Sequence, residues 1–397
     1  MKKTVSIIGG GPAGLMLAGA LNPALFEVMV FEKNKSFGRK FLVAGKGGFN
    51  LTHGEALEAF IDRYTPTDFL APALRNFSNE DLRRWLEAIG IPTFVGSSNR
   101  VYPLKGIKPI EVLTHLLDFL LSKGVQFQFE KEWKGWNDQQ ELIFQSGETV
   151  KSDLVIFALG GGSWKVTGSD GSWKTLFEEK GIQTAAFKPA NCAYQVAWQK
   201  DFTEKNAGKP LKNIALTCGS KTLKGELVVT DFGLEGNAIY ALSPAIQSAL
   251  DSTGKAQLQL DLKPQLSLNE ISEKLGKSKL KITETLAKEL NLSRTQIDLI
   301  KSVVSKETFL DKEQLASALK ALPLMVLAAA PLDEAISTTG GIALSEVDEF
   351  YQLKQLPQHY CLGEMLDWNA PTGGYLLQAC FSMGVYLAEF LNKSEGI

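Results

Sequence analysis

The feature that most constrains this chain is a glycine-rich loop between an apolar strand pattern and an apolar helix pattern. Residues 5–8 read VSII, residues 9–14 read GGGPAG, and residues 15–21 read LMLAGAL. The loop matches GxGxxG, in which the three glycines allow a tight turn, a close approach of the backbone to a pyrophosphate and close packing of helix on strand. The start of the helix offers free N–H groups and a positive dipole end to phosphates. The segment therefore predicts an α/β fold with a dinucleotide site.

An acidic residue follows at the spacing that such a site requires. A second apolar strand pattern over residues 28–31 ends in Glu32, 18 residues after Gly14. A carboxylate about 20 residues past the glycines binds a ribose hydroxyl in this kind of unit. The competing interpretation is a secretory signal, because Lys2 and Lys3 precede the apolar stretch. The loop glycines and proline would interrupt the core of such a signal, so we expect no export and a cytoplasmic location.

Composition narrows the class of partner. The 397 residues suffice for two or three domains, and 44% hydrophobic with 22% charged residues is typical of a soluble protein with sizeable cores. The 42 basic and 44 acidic residues balance to a net charge of −2, which argues against nucleic-acid and membrane-surface partners. No apolar run approaches the roughly 20 residues that span a bilayer.

Cysteine and histidine spacing excludes two kinds of chemistry. The cysteines are Cys192, Cys218, Cys361 and Cys380, and none forms the CxxC pair that a flavin-linked disulfide reductase uses. The histidines are His53, His115 and His359, and their spacing matches no metal site. We therefore expect buried, reduced thiols and no metal.

The order of patterns predicts one α/β domain that is interrupted in sequence. Residues 1–189 alternate strand and helix patterns and form its first part. Residues 190–328 form an inserted domain, with short strands to about 247 and helical spacing over about 265–320. Residues 329–397 return to the α/β domain and end in a helix that begins near Gly373. Such insertions are tolerated where the chain ends of the insert lie close together.

Five stretches of the chain then point to one family. They are residues 9–14 with Glu32, residues 38–52, residues 100–103, residues 230–236 and residues 363–375. Together they resemble the BaiN/YhiN-like family of NAD(P)/FAD-dependent oxidoreductases, and the second and fifth stretches are the most specific. The resemblance covers the whole chain. It implies a Rossmann-like FAD-binding domain interrupted by a β-barrel domain that carries a small helical subdomain.

The resemblance also implies an FAD site. The glycine motif would hold the pyrophosphate, Glu32 with Lys33 beside it would take the adenosine ribose, and residues 39–50 would surround the flavin half. Asp367 is implied on the ribityl or phosphate side, and backbone N–H groups at the start of the last helix would face the flavin. The implied cofactor-binding residues are Gly9, Gly11, Pro12, Ala13, Gly14, Glu32, Lys33, Arg39, Lys40, Gly45, Gly47, Gly48, Asn50, Gly160, Gly161, Gly363, Glu364, Asp367, Gly373, Gly374 and Tyr375.

Two positions depart from the family pattern. Relatives often carry Arg-Cys-Asn where this chain has Gly48, Phe49 and Asn50, so chemistry that rests on that Arg or Cys is absent here. Trp368 stands where relatives often have a smaller residue. We therefore expect altered surroundings of the flavin and a substrate that need not match that of any relative.

These motifs predict an FAD-dependent oxidoreductase that exchanges a hydride between the flavin and a small organic substrate. NAD(P)H is the candidate transient electron donor. Arg100 and Lys108 are candidates to bind an anionic or carbonyl-bearing substrate, and no catalytic acid or base is assigned. The alternatives are a flavin-binding redox sensor, or an RNA-modification-associated flavoprotein, without classical turnover. A nicotinamide-only dehydrogenase ranks below both, because the glycines at residues 38–52 and 363–375 fit a flavin.

Overall fold

The computed structural model describes residues 1–43 and 48–396. The helices are α1 (Pro12–Ala20), α2 (Arg39–Val43), α3 (Leu57–Ile61), α4 (Thr67–Asn76), α5 (Asn79–Ala88), α6 (Pro109–Ser122), α7 (Lys174–Glu178), α8 (Lys200–Asn206), α9 (Asn237–Thr253), α10 (Leu268–Lys277), α11 (Ile282–Lys288), α12 (Arg294–Val303), α13 (Lys306–Leu310), α14 (Lys312–Lys320) and α15 (Tyr375–Glu395). The strands are β1 (Lys3–Ile8), β2 (Phe26–Phe31), β3 (Thr52–His53), β4 (Thr93–Val95), β5 (Arg100–Pro103), β6 (Gln126–Gln128), β7 (Trp133–Trp136), β8 (Leu142–Phe144), β9 (Thr149–Val150), β10 (Leu154–Phe157), β11 (Thr184–Ala190), β12 (Tyr194–Val196), β13 (Pro210–Cys218), β14 (Lys221–Val229), β15 (Gly233–Glu235), β16 (Ala256–Asp261), β17 (Leu322–Ala329), β18 (Ser337–Ile342) and β19 (His359–Cys361).

A parallel sheet forms the centre of the first compact unit, residues 1–188 and 336–396. Its order is β19-β10-β1-β2-β6, and each neighbouring pair runs parallel. All four residues of β10 are buried, as expected for a parallel strand covered on both faces. Strands β2 and β6 lie on one side of β1 in the sheet, and β10 and β19 lie on the other side. The strand order therefore reverses at β1, and a crevice opens where the carboxyl ends of β1 and β10 diverge.

The last helix of this unit lies against its first helix. Helix α15 packs against α1, and a Cβ on Gly384 would lie 2.8 Å from both the Ala13 carbonyl oxygen and the Leu17 nitrogen. The absence of a side chain at Gly384 permits this close crossing. The C-terminal segment is thereby held beside the glycine-rich loop.

The second compact unit, Pro189–Ala335, contains a closed antiparallel barrel in the order β12-β15-β14-β13-β16-β17. Inward-facing residues such as Leu216, Leu258 and Val326 are completely buried, while alternate positions of β16 and β17 are exposed. Helices α10 to α14 lie between β16 and β17 in the chain and pack into the same hydrophobic core. The mixed α/β class with a Rossmann-like sheet, a barrel and a helical subdomain is thus confirmed.

The structure corrects the interpretation of residues 190–247 as short strands and turns. Helix α9 occupies Asn237–Thr253 and begins after Gly236, whose φ is +112°. Its buried Ile239, Leu242 and Ile246 are spaced by three and four residues, which places them on one face. Pro244 lies inside this helix and obscured the helical pattern, because proline usually interrupts a helix.

The end of the second unit also differs from the sequence expectation. The predicted boundary at 328/329 falls inside β17, which continues to Ala329. The chain stays with the barrel to Ala335, because the Ala330 N–H donates to the Ala193 carbonyl and Ala335 is fully buried in the barrel's core.

Candidate functional site

A cleft of about 370 Å³ opens at the carboxyl end of the parallel sheet. Residues 9–13 line one side, residues 158–160 after β10 line the other, and Glu32 stands at the end of β2. Ligands of open parallel sheets bind at this position, outside the strand ends where the order reverses. The topology therefore identifies the cleft as the candidate ligand site.

The structure divides the predicted cofactor residues into three groups. Those that line the cleft are Gly9, Gly11, Pro12, Ala13, Glu32, Lys33, Arg39, Lys40, Gly160, Gly363 and Glu364. The described residues outside its lining are Gly14, Gly48, Asn50, Gly161, Asp367, Gly373, Gly374 and Tyr375. Gly45 and Gly47 lie outside the described residues.

The glycines of the loop have different neighbours. Gly9 has a φ of +110°, and a Cβ there would lie 2.4 Å from the Ala158 carbonyl oxygen. A Cβ on Gly14 would lie 2.6 Å from the Gly9 carbonyl oxygen, so the fold itself requires both glycines. Gly11 has an ordinary φ of −89°, and the nearest atom to a Cβ would be the Ala158 oxygen at 3.9 Å. A side chain on Gly11 would fill the cleft and not the protein interior.

The Glu32 carboxylate is held in place with one acceptor position left. Its Oε2 accepts the Gly10 N–H at 3.0 Å. Its Oε1 accepts the backbone N–H of Asn34 at 2.9 Å and the side-chain amide of Asn34 at 2.7 Å. A carboxylate offers about four acceptor positions, so Oε2 keeps one for an incoming donor. A ribose hydroxyl is such a donor.

Beside Glu32, the Lys33 ammonium forms an ion pair with Asp170 at 2.9 Å. Asp170 also accepts the Ser172 N–H at 3.0 Å and the Ser172 hydroxyl at 2.7 Å. Burial by itself raises the pKa of Asp170, but the bonds from Ser172 and the Lys33 charge outweigh burial and lower this pKa from 3.8 to about 2. Asp170 is therefore ionised at neutral pH.

We expect an Asp170→Asn variant to be less stable than the parent by about 1 kcal/mol at pH 7, after the partial exposure of the pair is discounted. The folded pKa lies below the unfolded one, so this contribution is complete above about pH 4. It declines as the pH falls toward 2. Urea unfolding of both proteins at pH 7, 4 and 3 measures it, and a difference that grows on acidification would contradict the assignment.

A second ion pair, Lys40 with Glu364, also lines the cleft. The Lys40 ammonium lies 3.2 Å from Glu364 Oε2 and donates to the Ser163 hydroxyl at 2.8 Å. Gly363, with a φ of +77°, precedes Glu364, and a Cβ there would lie 3.2 Å from the Ala13 side chain. The second-loop and C-terminal motifs thus meet beside the glycine motif, although they are far apart in sequence.

Strand β18 lies against two of the predicted residues, Gly161 and Asp367. A Cβ on Gly161 would lie 2.2 Å from the Thr338 hydroxyl, which accepts the Gly162 N–H at 3.1 Å. Asp367 Oδ1 accepts the Gly340 N–H at 2.7 Å. Thr338 and Gly340 are not among the residues predicted from the sequence; the adjacent glycines of the STTGGI segment were the available signal.

The start of α15 is fixed against β3 and β5. Gly374 has a φ of +101°, and a Cβ there would lie 2.5 Å from backbone atoms of Thr52. Gly373 has a φ of +116°, and its Cβ position lies 3.4 Å from Arg100 Nε. The structure therefore brings the substrate candidate Arg100 to the N-terminal end of α15. Lys108 is exposed before α6, where its N–H donates to Glu111.

The side chain of Tyr375 is engaged within the protein. Its hydroxyl donates to Glu55, and its ring stacks on His53 with a centroid distance of 5.1 Å. Arg63 donates to both oxygens of Glu55, at 3.2 and 2.9 Å. Burial and the bond to Glu55 raise the pKa of Tyr375. The hydroxyl of Tyr375 therefore anchors the start of α15.

Several residues that line the cleft are not among the site residues predicted from the sequence. Among them are Asn34, Trp133, Asp170, Trp173 and Cys380. Phe37 is a further one in the supporting layer, because a Cβ on Gly10 would lie 1.8 Å from its ring. The unbroken GGG of the loop was the only sequence signal for that contact.

The cleft fits the nucleotide half of FAD. Gly11 leaves open space at the glycine loop, Glu32 has an acceptor position for a ribose hydroxyl, and α1 directs its N-terminal end to the same place. Among residues 1–43 and 48–396, no group of three or more His, Cys, Asp or Glu side chains has metal-binding geometry. In the same part of the chain, no helix has the length and apolarity needed to cross a membrane.

All four cysteines are buried, and burial raises the pKa of each thiol. The thiolate is the reactive form, so we expect none to react with the thiol reagent DTNB in the folded protein at pH 8. Four should react after unfolding in guanidinium. A thiol that reacts rapidly in the folded protein would contradict this environment.

Comparison with known proteins gives one family and a consistent set of relatives. The family model described as the HI0933-like protein Rossmann domain matches residues 3–390. A 3-dehydro-bile acid Δ4,6-reductase of Clostridium scindens is 25% identical over 97% of both chains. A ribosomal RNA dihydrouridine synthase of Haemophilus influenzae is 23% identical over 98% of both chains. The crystal structure of 3-ketosteroid-Δ4-(5α)-dehydrogenase from Rhodococcus jostii shares the fold, with a TM-score of 0.50 and 13% identity over 98% of this chain and 97% of the other.

Proposed function

The chain belongs to the HI0933-like Rossmann family, a family of flavin-dependent oxidoreductases, and we propose that it is an FAD-dependent reductase of carbon–carbon double bonds conjugated to a carbonyl group. The observation that carries this proposal is the cleft at the reversal of strand order, where the Glu32 carboxylate faces an open glycine loop. The proposed substrate is a small organic molecule.

The names of the relatives support this reaction class. A 3-dehydro Δ4,6 compound has a carbonyl at carbon 3 in conjugation with its double bonds, and a reductase of that name saturates them. Dihydrouridine differs from uridine by reduction of a double bond that is conjugated to a ring carbonyl. Both names thus describe addition of two hydrogens across an activated double bond.

Such a reaction makes defined demands on the protein. Bound FAD, once reduced by the electron donor, would supply a hydride to the carbon β to the carbonyl, and the α carbon would take a proton from solvent water. Negative charge develops on the carbonyl oxygen, and preorganised donors stabilise it. Arg100 beside the N-terminal end of α15 is the group that we propose for this task. The exposed Lys108 is a weaker candidate, at the surface before α6.

We propose NAD(P)H as a transient electron donor and the cytoplasm as the location. The balanced charge of the chain supports a small-molecule substrate and argues against a nucleic-acid or membrane partner. The division into a discontinuous FAD-binding domain and an inserted barrel domain remains part of the same proposal.

An anaerobic spectroscopic titration tests the function. We expect purified protein to be yellow with about one non-covalent FAD per chain, and to bleach on addition of NADH or NADPH. A 3-oxo-4-ene steroid, added without oxygen, should restore the oxidised spectrum and gain two hydrogens by mass spectrometry. A uridine-containing RNA transcript is the parallel acceptor.

The outcomes separate the candidate functions. A colourless protein that cannot be reconstituted with FAD contradicts the cofactor. Reoxidation by the transcript alone supports the RNA-modification alternative. A reduced flavin that no conjugated carbonyl compound reoxidises contradicts the reductase and leaves the redox sensor.

A further inference from the structure

A second carboxylate, Asp170, lines the cleft and pairs with Lys33, the residue that follows Glu32. The ion pair spans 2.9 Å, and the side chains of Asp170 and Lys33 are 34% and 30% exposed. Ser172 donates two further hydrogen bonds to Asp170. The carboxylate is therefore oriented by three donors and remains within reach of a ligand.

The segment that carries Asp170 is fixed on the residues after β2. Arg39 donates to the Val166 carbonyl at 2.9 Å, and a Cβ on Gly168 would lie 2.7 Å from the Asn34 side-chain nitrogen. Close packing on Asn34 and the bond from Arg39 hold this segment against the loop that contains Lys33. These contacts therefore fix the position of the Lys33–Asp170 ion pair in the cleft.

The other cations that line the cleft also have partners. Arg39 donates to the side-chain oxygen Oδ1 of Asn34 at 2.7 Å in addition to the Val166 carbonyl. Lys131 pairs with Glu148, and Lys134 pairs with Glu132 at 2.7 Å. A 2′-phosphate on an adenosine would therefore meet the carboxylates of Glu32 and Asp170 and no uncommitted cation among these side chains. Sites that accept a 2′-phosphate supply a cation for it.

We propose that Asp170 is a specificity-determining residue: by neutralising Lys33 it restricts the adenosine end of the cleft to nucleotides with a free 2′-hydroxyl and excludes those with a 2′-phosphate. The inference rests on the proposed binding of FAD, whose ADP half has that free hydroxyl. The low pKa of Asp170 keeps the exclusion in force at neutral pH. One consequence is that NADPH does not displace FAD from the FAD site. NADPH then contacts the flavin only as a transiently bound electron donor.

Competition binding to the flavin-stripped full-length chain tests the proposal, with ADP and adenosine 2′,5′-bisphosphate as the probes against FAD. The parent protein should prefer ADP at least tenfold. Asp170→Asn keeps the size of the side chain and an oxygen that can accept the hydrogen bonds from Ser172. This variant should bind the bisphosphate about tenfold more tightly, with its affinity for ADP changed less than threefold. The double variant Lys33→Met with Asp170→Asn should lose that gain, because the gain acts through the released ammonium.

A single Lys33→Met variant provides a measurement that does not depend on folding of the Asp170 variant. Removal of the ammonium leaves the Asp170 carboxylate uncompensated, so the preference for ADP over the bisphosphate should strengthen. Glu178→Gln, in the exposed pair with Lys174, is the matched control for removal of an ion pair.

Three outcomes overturn the proposal. They are an unchanged preference in folded Asp170→Asn, a gain that persists in the double variant, and a weakened preference for ADP in Lys33→Met alone. A parent protein that binds neither FAD nor ADP would instead contradict the proposed function.

Discussion

A Gly11→Val variant is expected to fold normally and to lose FAD. The backbone of Gly11 has a φ of −89°, and the nearest heavy atom to a Cβ would be the Ala158 oxygen at 3.9 Å, so the protein has room for the side chain. The side chain would occupy the position where a pyrophosphate approaches the backbone. We expect FAD affinity to fall roughly hundredfold, or about 2.8 kcal/mol, with the melting temperature of the flavin-free protein changed by only a few degrees.

Gly14→Ala is the matched control, because its Cβ would lie 2.6 Å from the Gly9 carbonyl oxygen. This variant should be destabilised, and its loss of flavin should follow its loss of fold. Flavin absorbance per chain and thermal unfolding of the stripped proteins distinguish the two. Full FAD content in a folded Gly11→Val protein would remove Gly11 from the site.

A Gly374→Ala variant is expected to be destabilised by about 3 kcal/mol. The substitution places a Cβ 2.5 Å from the backbone of Thr52 and forces alanine to adopt a φ of +101°. A left-handed conformation costs roughly 1–3 kcal/mol for a residue with a side chain, and overpacking against immobile backbone adds a similar amount. Detachment of the start of α15 from β3 should also reduce flavin binding. Denaturant unfolding and flavin content measure both effects.

Gly373→Ala separates backbone strain from the collision. Its φ of +116° is equally unfavourable, but its Cβ position contacts only side-chain atoms of Arg100 and Tyr375, at 3.4 and 3.5 Å. We expect a loss of only about 1–2 kcal/mol. Equal stability of Gly374→Ala and the parent protein would show that α15 does not begin against Thr52 as described.

Local patterns were sufficient to predict the first βαβ unit and the position of the last helix. The spacing from Gly14 to Glu32 depends on short-range geometry, and Glu32 indeed stands at the end of β2 in the cleft. The helical spacing over residues 265–320 likewise corresponds to α10 through α14. The same reasoning missed α9, because Pro244 interrupts its helical sequence pattern. Burial of one face stabilises this helix in spite of the proline.

Only the tertiary structure decided which distant residues share the cleft. Asp170 reaches Lys33 across 137 positions of sequence, and Lys40 reaches Glu364 across 324. Neither pairing leaves a periodic or compositional trace, because an ion pair depends on where the sheet edge places two loops. The sequence by itself determined the class of fold, the glycine loop and the position of Glu32 at the end of β2, since these follow from backbone constraints within about thirty residues. The charge balance at the cleft and the anchoring of α15 on β3 arise from packing between segments far apart in the chain, and these could be read only from the folded structure.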